Sequence, residues 1–126
     1  MKTYFLKFLI LGFIIFVSCK KDLIEVQTDD QKLTQLKTDI ETFAKNKACS
    51  GGDNCRVVGI GNQPCGGPSW YIIYSLSNTD EKKLMVKVNE YTELQKAYNL
   101  KKNTIGICID FAIPTVDCKN GVCSAK

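Results

Sequence analysis

Apolar residues recur at helical spacing in two stretches of the chain. The first follows Thr28-Asp29-Asp30-Gln31, which has the form of a capping box, with Gln at the third helical position. Its apolar stripe consists of Leu33, Leu36, Ile40, Phe43 and Ala44. This spacing predicts an amphipathic helix that ends near Lys47, before the turn-forming residues 50–54.

The second helical stretch begins at Asn78-Thr79-Asp80-Glu81, where a polar cap is again followed three residues later by Glu. Its charged residues alternate in sign on the side away from the apolar stripe, which is typical of a solvated face. We expect this helix to extend to about Leu100. Its predicted buried stripe is Leu84, Val88, Tyr91, Leu94 and Tyr98.

Two strands are predicted between these helices, at Cys55–Ile60 and Ser69–Leu76. In the second, alternation places one set of side chains on each face, and both sets contain apolar residues. The faces are Trp70, Ile72, Tyr74 and Leu76 on one side, and Tyr71, Ile73 and Ser75 on the other. A strand with apolar residues on both faces is usually covered on both, so we expect Ser69–Leu76 to be central in its sheet.

The C-terminal part predicts two further extended elements. Thr104–Ile113 is a third strand, closed by Pro114. Val116–Ser124 is a hairpin around Asn120-Gly121, the strongest short-range signal for a two-residue type I′ turn. The element order therefore indicates an α+β fold, with an antiparallel sheet of three to four strands and two helices packed on one face. We assign this single cysteine-rich domain to residues 29–126.

The N-terminal residues 1–18 have the form of a signal peptide, with Lys2 and Lys7 followed by the apolar run Phe8–Val17. A membrane-spanning helix needs about 20 predominantly apolar residues, and this run has about half that length. Residues 19–28 are then predicted to be a tether.

Phe16-Val17-Ser18-Cys19 resembles a bacterial lipobox, although Phe16 replaces the usual aliphatic residue. The resemblance implies cleavage before Cys19 by signal peptidase II and diacylation of Cys19 with palmitate-type chains. Lys20, rather than an aspartate, follows the cysteine, and by the same resemblance this favours the outer membrane. We therefore expect a membrane-anchored lipoprotein of the cell envelope, facing either the periplasm or the cell surface.

Six of the seven cysteines remain once Cys19 is set aside. An even number in an exported chain indicates three disulfides that staple the domain, each worth roughly 2 to 4 kcal/mol. The chain has no histidine and no C-x-x-C pair, so we predict no metal site. Cys118 and Cys123 would face each other across the Asn120-Gly121 turn at a spacing compatible with a bridge, but other pairings stay open. The disulfide candidates are Cys49, Cys55, Cys65, Cys108, Cys118 and Cys123.

Charge argues against a nucleic-acid partner. The formal net charge is +4, and removing residues 1–18 takes away Lys2 and Lys7, which leaves 15 basic and 13 acidic residues, or +2. A net charge this small does not indicate a basic surface that would bind the phosphate backbone of a nucleic acid.

Glycine, proline and one cysteine are concentrated in residues 59–68, directly before the most apolar predicted strand. Their spacing does not match a phosphate-binding loop, and no helix follows. Cys65 has no histidine to activate it, and no residue pattern places two of the carboxylates Glu90, Glu93, Asp110 and Asp117 in one cleft. We therefore predict no enzyme activity and no cofactor, and interpret this stretch as a pinned turn.

The same turn is the candidate binding loop. If it binds a ligand, Trp70 or Tyr71 at its exit should be partly exposed, whereas a purely structural turn should bury both rings. The candidate binding residues are Asn62, Gln63, Pro64, Gly66, Gly67, Pro68, Trp70 and Tyr71.

The motif Pro64-Cys65-Gly66-Gly67-Pro68, followed by Tyr71-x-x-Tyr74-Ser75 and the six domain cysteines, is similar to a group of small exported bacterial proteins and lipoproteins. The similarity covers most of residues 49–126, and no activity is established for the group. It implies export and the α+β fold. Our hypothesis is a non-enzymatic binding module for a protein or envelope ligand; the alternative is an inhibitor of an extracellular hydrolase.

Overall fold

The computed structural model describes residues 27–107 and 112–126. Residues 1–18, Cys19 and most of the predicted tether lie outside the described residues, and so does Cys108. Within the described part, no helix combines the length and the apolar character that a bilayer crossing requires. The elements are α1 (Asp29–Phe43), β1 (Cys55–Ile60), β2 (Trp70–Ser75), α2 (Glu81–Lys102), β3 (Val116–Lys119) and β4 (Val122–Ala125), with a short 3₁₀ turn at Gly52–Asn54. The α+β class is confirmed.

The capping box at α1 is confirmed. Gln31 N donates to Thr28 Oγ1 at 3.3 Å, and Thr28 N donates to Gln31 Oε1 at 2.8 Å. The helix ends at Phe43, a few residues before the predicted end near Lys47.

The second helix is capped by Asp80, whose Oδ1 accepts from Lys83 N at 3.1 Å. Asn78 has another role, because its Nδ2 donates to the Ala48 carbonyl at 2.9 Å. At its C-terminus α2 ends on Asn103 in the left-handed conformation, with φ of 49°.

The strands form two separate antiparallel pairs. β1 pairs with β2, so that Ile60 lies opposite Trp70 and Cys55 opposite Ser75, while β3 pairs with β4. The predicted single sheet of three to four strands is therefore wrong, and among residues 27–107 and 112–126 β2 is not a central strand. Of the predicted strand Thr104–Ile113, residues 104–107 and 112–113 have no regular structure, and residues 108–111 lie outside the described part.

The second apolar face of β2 explains the error. This face belongs to the same side of the β1–β2 pair as Cys55, which is bonded to Cys123 of β4. The hairpin β3–β4 thus contacts both strands of the pair from this side. A strand can be covered on both faces without having a neighbour on both edges, which is why apolar alternation did not give its place in the sheet.

The core lies between the two helices and the first face of the β1–β2 pair. Ile40, Ile60 and Leu84 are completely buried there. The other buried members are Leu36, Ala44, Ile72, Tyr74, Val88 and Tyr91. Three ion pairs join the helices at their solvent side: Asp29–Lys101, Lys32–Glu90 and Asp39–Lys87, with N–O distances of 2.9, 3.2 and 3.1 Å.

The predicted type I′ turn is present, since Asn120 and Gly121 have φ of 51° and 77°. Cys118 and Cys123 are direct cross-strand partners, yet they are not bonded to each other. Cys118 is bonded to Cys49 and Cys123 to Cys55, with Cα–Cα distances of 6.0 and 5.4 Å. Both bridges tie the hairpin to distant parts of the chain, 69 and 68 residues away in sequence.

Candidate binding loop

The candidate binding loop connects β1 to β2 and closes on itself through its own backbone. Ser69 N donates to the Ile60 carbonyl at 2.8 Å, which continues the ladder of the strand pair into the loop. Further out, Gln63 N donates to the Gly67 carbonyl and Gly66 N to the Gln63 carbonyl, both at 2.9 Å. Gly66 and Gly67 have φ of 97° and 81°, a region that side chains make unfavourable. The glycine pair is therefore what permits this tight tip.

Gln63 also holds the loop from within. Its Nε2 donates to the Pro68 carbonyl at 2.7 Å, and the Asn62 Nδ2 donates to the Gln63 carbonyl at 3.1 Å. The side-chain amides of Asn62 and Gln63 thus stabilise the loop through hydrogen bonds to its own carbonyl groups. Both are partly buried, whereas residues 64–67 at the tip are exposed.

Polar side chains of α2 bind the base of the loop. Thr92 Oγ1 accepts from Gly61 N at 3.0 Å. Gln95 Oε1 accepts from both Asn62 N at 2.7 Å and Ser69 Oγ at 2.8 Å. Asn99 Nδ2 donates to the Asn62 carbonyl at 2.7 Å. Both sides of the loop are therefore fixed to one helix.

Sequence reasoning missed these three helix residues. Thr92, Gln95 and Asn99 recur at i, i+3 and i+7, so they lie on one face of α2. They are uncharged in a helix whose solvated face is mostly Lys and Glu. An uncharged polar row beside an apolar stripe is the signal that would have indicated them, because such side chains can satisfy backbone groups at a protein interior.

A third restraint acts at the tip. Cys65 is disulfide-bonded, and its Sγ lies 3.7 Å from the Gly106 carbonyl oxygen. A Cβ placed on Gly106 would lie 3.3 Å from Pro64, so the segment after α2 runs directly against the tip. The interpretation as a pinned turn agrees with these contacts, and α2 adds restraints that the sequence analysis did not include.

The two aromatic residues at the loop exit are both half-buried, so the expectation that a purely structural turn buries both rings does not hold. Trp70 packs under the helices, with its ring perpendicular to Tyr91 at a centroid distance of 6.2 Å and the Lys37 Nζ 5.5 Å above it. Its Nε1 is buried and has no hydrogen-bond partner among residues 27–107 and 112–126. Trp70 is thus mainly a packing residue.

Tyr71 lies on the opposite face of the strand pair. It is the cross-strand partner of Gly59, and a Cβ on Gly59 would lie 3.2 Å from its ring. The ring therefore covers the surface that Gly59 leaves open, next to Pro68.

A shallow cleft of about 320 Å³ opens between the loop and the end of α2. Exposed Lys96 and Leu100 border it on the helix side, and Leu100 is 74% exposed. Its remaining lining residues are Asn62, Gln63, Pro64, Gly66, Asn99 and Thr104. Of the predicted binding residues, the structure therefore places four at one cleft, and Gly67, Pro68, Trp70 and Tyr71 away from it.

Of the carboxylates considered for acid–base chemistry, Glu90 and Glu93 are exposed on α2, whereas Asp117 lies in the hairpin. Glu90 pairs with Lys32 between the helices, while Asp117 lies 3.7 Å from the Lys126 Nζ and accepts from Cys118 N in the hairpin. Asp110 lies outside the described residues. The absence of enzyme activity stays a prediction.

The comparisons with protein-family models, curated proteins and solved structures found no match for this chain. The similarity to small exported lipoproteins accordingly stays a prediction, carried by the residues quoted for it.

Proposed function

We propose that this protein is a lipoprotein of the outer membrane, anchored through acylated Cys19, whose domain binds a protein or envelope ligand without catalysing a reaction. The loop of residues 61–69 is the proposed binding surface, together with the cleft beside it. The observation that carries the proposal is the fixation of this loop from α2, which leaves an exposed tip on a rigid base.

Rigidity matters because binding has to offset the entropy lost when a flexible segment is ordered. A loop that is already fixed in the free protein loses less, so the same contacts give a higher affinity. Here Thr92, Gln95 and Asn99 form hydrogen bonds with the backbone groups at the base of the loop.

A capture experiment with the soluble domain, residues 20–126, tests the binding role. Envelope extract is passed over the wild-type domain and over Gln95→Ala, which frees the loop base without changing the exposed tip. Gln35→Ala is the matched control, because Gln35 is an exposed residue of the other helix whose amide donates to nearby Asp39 at 2.8 Å. We expect one species to be retained by wild type and Gln35→Ala and reduced with Gln95→Ala. Equal retention by all three variants would contradict the loop as binding surface.

Metabolic labelling with a palmitate analogue tests the anchor separately. Wild-type cells should incorporate the label and hold the protein in the membrane fraction, while Cys19→Ala should lose both. Unchanged labelling and fractionation of Cys19→Ala would overturn the lipoprotein assignment and leave the binding role standing.

The alternative function, an inhibitor of an extracellular hydrolase, is favoured by one feature, the projecting tip whose ends are both held. Against it, the hydrogen bond from Gly66 N to the Gln63 carbonyl bends the tip into a turn. A protease cleft accepts an extended segment, as in recognition by strand addition. A panel of serine, cysteine and metalloproteases incubated with the domain distinguishes the two, since the binding module predicts neither inhibition nor a stable complex.

A further inference from the structure

Four cysteines at the hairpin form one sulfur cluster. Cys49 is bonded to Cys118, and Cys55 to Cys123. Nevertheless the Sγ atoms of Cys49, Cys55 and Cys123 all lie within 4.8 Å of one another. The sulfurs of Cys49 and Cys55, which are not bonded, are thus already neighbours.

The other two cysteines are neighbours as well. Cys118 and Cys123 are direct partners in the β3–β4 register. Cys123 N donates to the Lys47 carbonyl at 2.9 Å, away from β3, so this is a non-hydrogen-bonded pair. The Cα atoms of such a pair are typically about 4.5 Å apart, inside the range of 4.4 to 6.8 Å that disulfides span.

We propose that this cluster is a disulfide latch with two closed pairings. The observed pairing ties the hairpin to residue 49 and to β1. The alternative pairing joins Cys49 to Cys55 and Cys118 to Cys123, so that the two cysteines of the hairpin are bonded to each other and no disulfide ties the hairpin to the rest of the domain. A small thiol can therefore release the hairpin from the rest of the domain without net reduction of the protein.

The exchange begins at the Cys49–Cys118 bridge, because both residues are partly exposed whereas Cys55 and Cys123 are each 2% exposed. An external thiolate attacks Cys118 Sγ, forms a mixed disulfide there and expels the Cys49 thiolate. Cys49 then attacks Cys55 Sγ, which forms Cys49–Cys55 and expels the Cys123 thiolate. Finally Cys123 attacks Cys118 Sγ, forms Cys118–Cys123 and returns the external thiolate. These four cysteines form two disulfides before and after the exchange, so the disulfide of Cys65 takes no part.

Glutathione is the probe for this exchange. The full chain, carrying Cys19→Ser so that no cysteine outside the domain takes part, is incubated with a reduced and oxidised glutathione mixture, quenched with acid, alkylated and mapped by mass spectrometry. We expect the Cys49–Cys55 and Cys118–Cys123 linkages to appear together and in equal amounts. Because the thiolate is the attacking species, the rate should rise almost tenfold per pH unit below about 8.5.

Two double variants separate exchange from general reduction. Cys49→Ser/Cys118→Ser removes the exposed bridge and should keep Cys55–Cys123 intact under the same treatment. Cys49→Ser/Cys55→Ser leaves Cys118 opposite Cys123, and these should form the cross-strand bridge instead of two alkylatable thiols. The proposal is overturned if glutathione yields only the observed linkages and reduced cysteines in the parent protein. Two free thiols at Cys118 and Cys123 in the second variant would equally overturn it.

Discussion

The two ends of this domain are stabilised by different means. The end formed by α1, α2 and one face of β1–β2 has a continuous apolar core in which Ile40, Ile60 and Leu84 are completely buried. In the β3–β4 hairpin, by contrast, Cys123 alone is fully buried, while Val122 is 49% exposed. The hairpin therefore depends on the two disulfides and a few backbone hydrogen bonds, whereas the helical end depends on burial.

This difference follows from the apolar area that each end of the domain can bury. A two-stranded hairpin is marginal in water at best, since it cannot bury enough apolar area to offset the entropy of ordering its chain. Bridges that close loops of nearly 70 residues, here 69 and 68, restrict the unfolded chain strongly. Helices packed on a sheet face have the burial they need and carry no cysteine.

The largest effect should come from removing a bridge. Cys49→Ser/Cys118→Ser should lower the free energy of unfolding by about 3 kcal/mol. While Cys55–Cys123 stays intact, this bridge closes a loop of only roughly a dozen residues in the unfolded chain, residues 49–55 and 118–123, and about 3 kcal/mol is the chain-entropy value for a loop of that size. Urea unfolding under non-reducing conditions measures it. A loss below about 1 kcal/mol would mean that other contacts hold the hairpin in place. It would contradict the claim that this end of the domain depends on its disulfides.

A core truncation at the helical end should have an effect of similar size. Leu84→Ala should cost about 3 kcal/mol, because Leu84 is fully buried and the cavity adds to the lost transfer energy. Val86→Ala is the control on the same helix, since Val86 is 67% exposed and should change stability by less than about 0.5 kcal/mol. Similar losses for both variants would contradict the placement of the core.

The ionisation of Tyr74 makes the stability of the core depend on pH. Burial, and next the hydrogen bond that its hydroxyl donates to Glu81 Oε1 at 2.6 Å, raise the pKa of Tyr74 to about 12. An unfolded tyrosine titrates near 10. The contribution of Tyr74 to the free energy of unfolding is fully present below pH 10. It is lost as pH rises from 10 to 12, because in that range the folded state keeps a proton that the unfolded state has released.

Tyr74→Phe should therefore cost about 1 kcal/mol at pH 7 from the lost hydrogen bond. Between pH 10 and 12 the stability of wild type should fall by about 2 kcal/mol more than that of the variant. Chemical unfolding at each pH measures the difference, with Tyr71→Phe as the control that leaves Tyr74 in place. Parallel pH profiles for wild type and Tyr74→Phe would show that this pKa is not raised.

The smallest effect on stability belongs to the loop. Gln95→Ala should lower the free energy of unfolding by about 1 kcal/mol, since Asn62 N and Ser69 Oγ lose their hydrogen bonds to Gln95 at a half-buried site. Hydrogen exchange should show faster exchange at Asn62 with little change in β1. If exchange at Asn62 is unchanged, the helix does not fix the loop.

Local signals in the sequence predicted local structure well. The Thr28–Gln31 capping box and the Asn120-Gly121 turn depend on residues next to each other in the chain, and both are present. The strands β1 and β2 follow from alternation in the same way.

Relations between distant elements were not accessible in this way. The cross-strand position of Cys118 and Cys123 is a local property, but their bonding depends on how the hairpin docks against Lys47 and Cys55. Likewise, the hydrogen bond from the loop to Gln95 joins residues about 30 positions apart. Predicting it requires knowing how α2 is oriented relative to the strands. Strand alternation reports that a face is covered, and not what covers it.

Hydrogen exchange of the intact protein, with and without a reducing agent, tests the contrast between the two ends most directly. We expect reduction to accelerate exchange in residues 116–125 at least tenfold more than in the buried parts of α1, α2 and β2, because of these elements only the hairpin depends on the bridges for its position. Acceleration of equal size at both ends would contradict the account, since the disulfides would then stabilise the helical core as much as the hairpin.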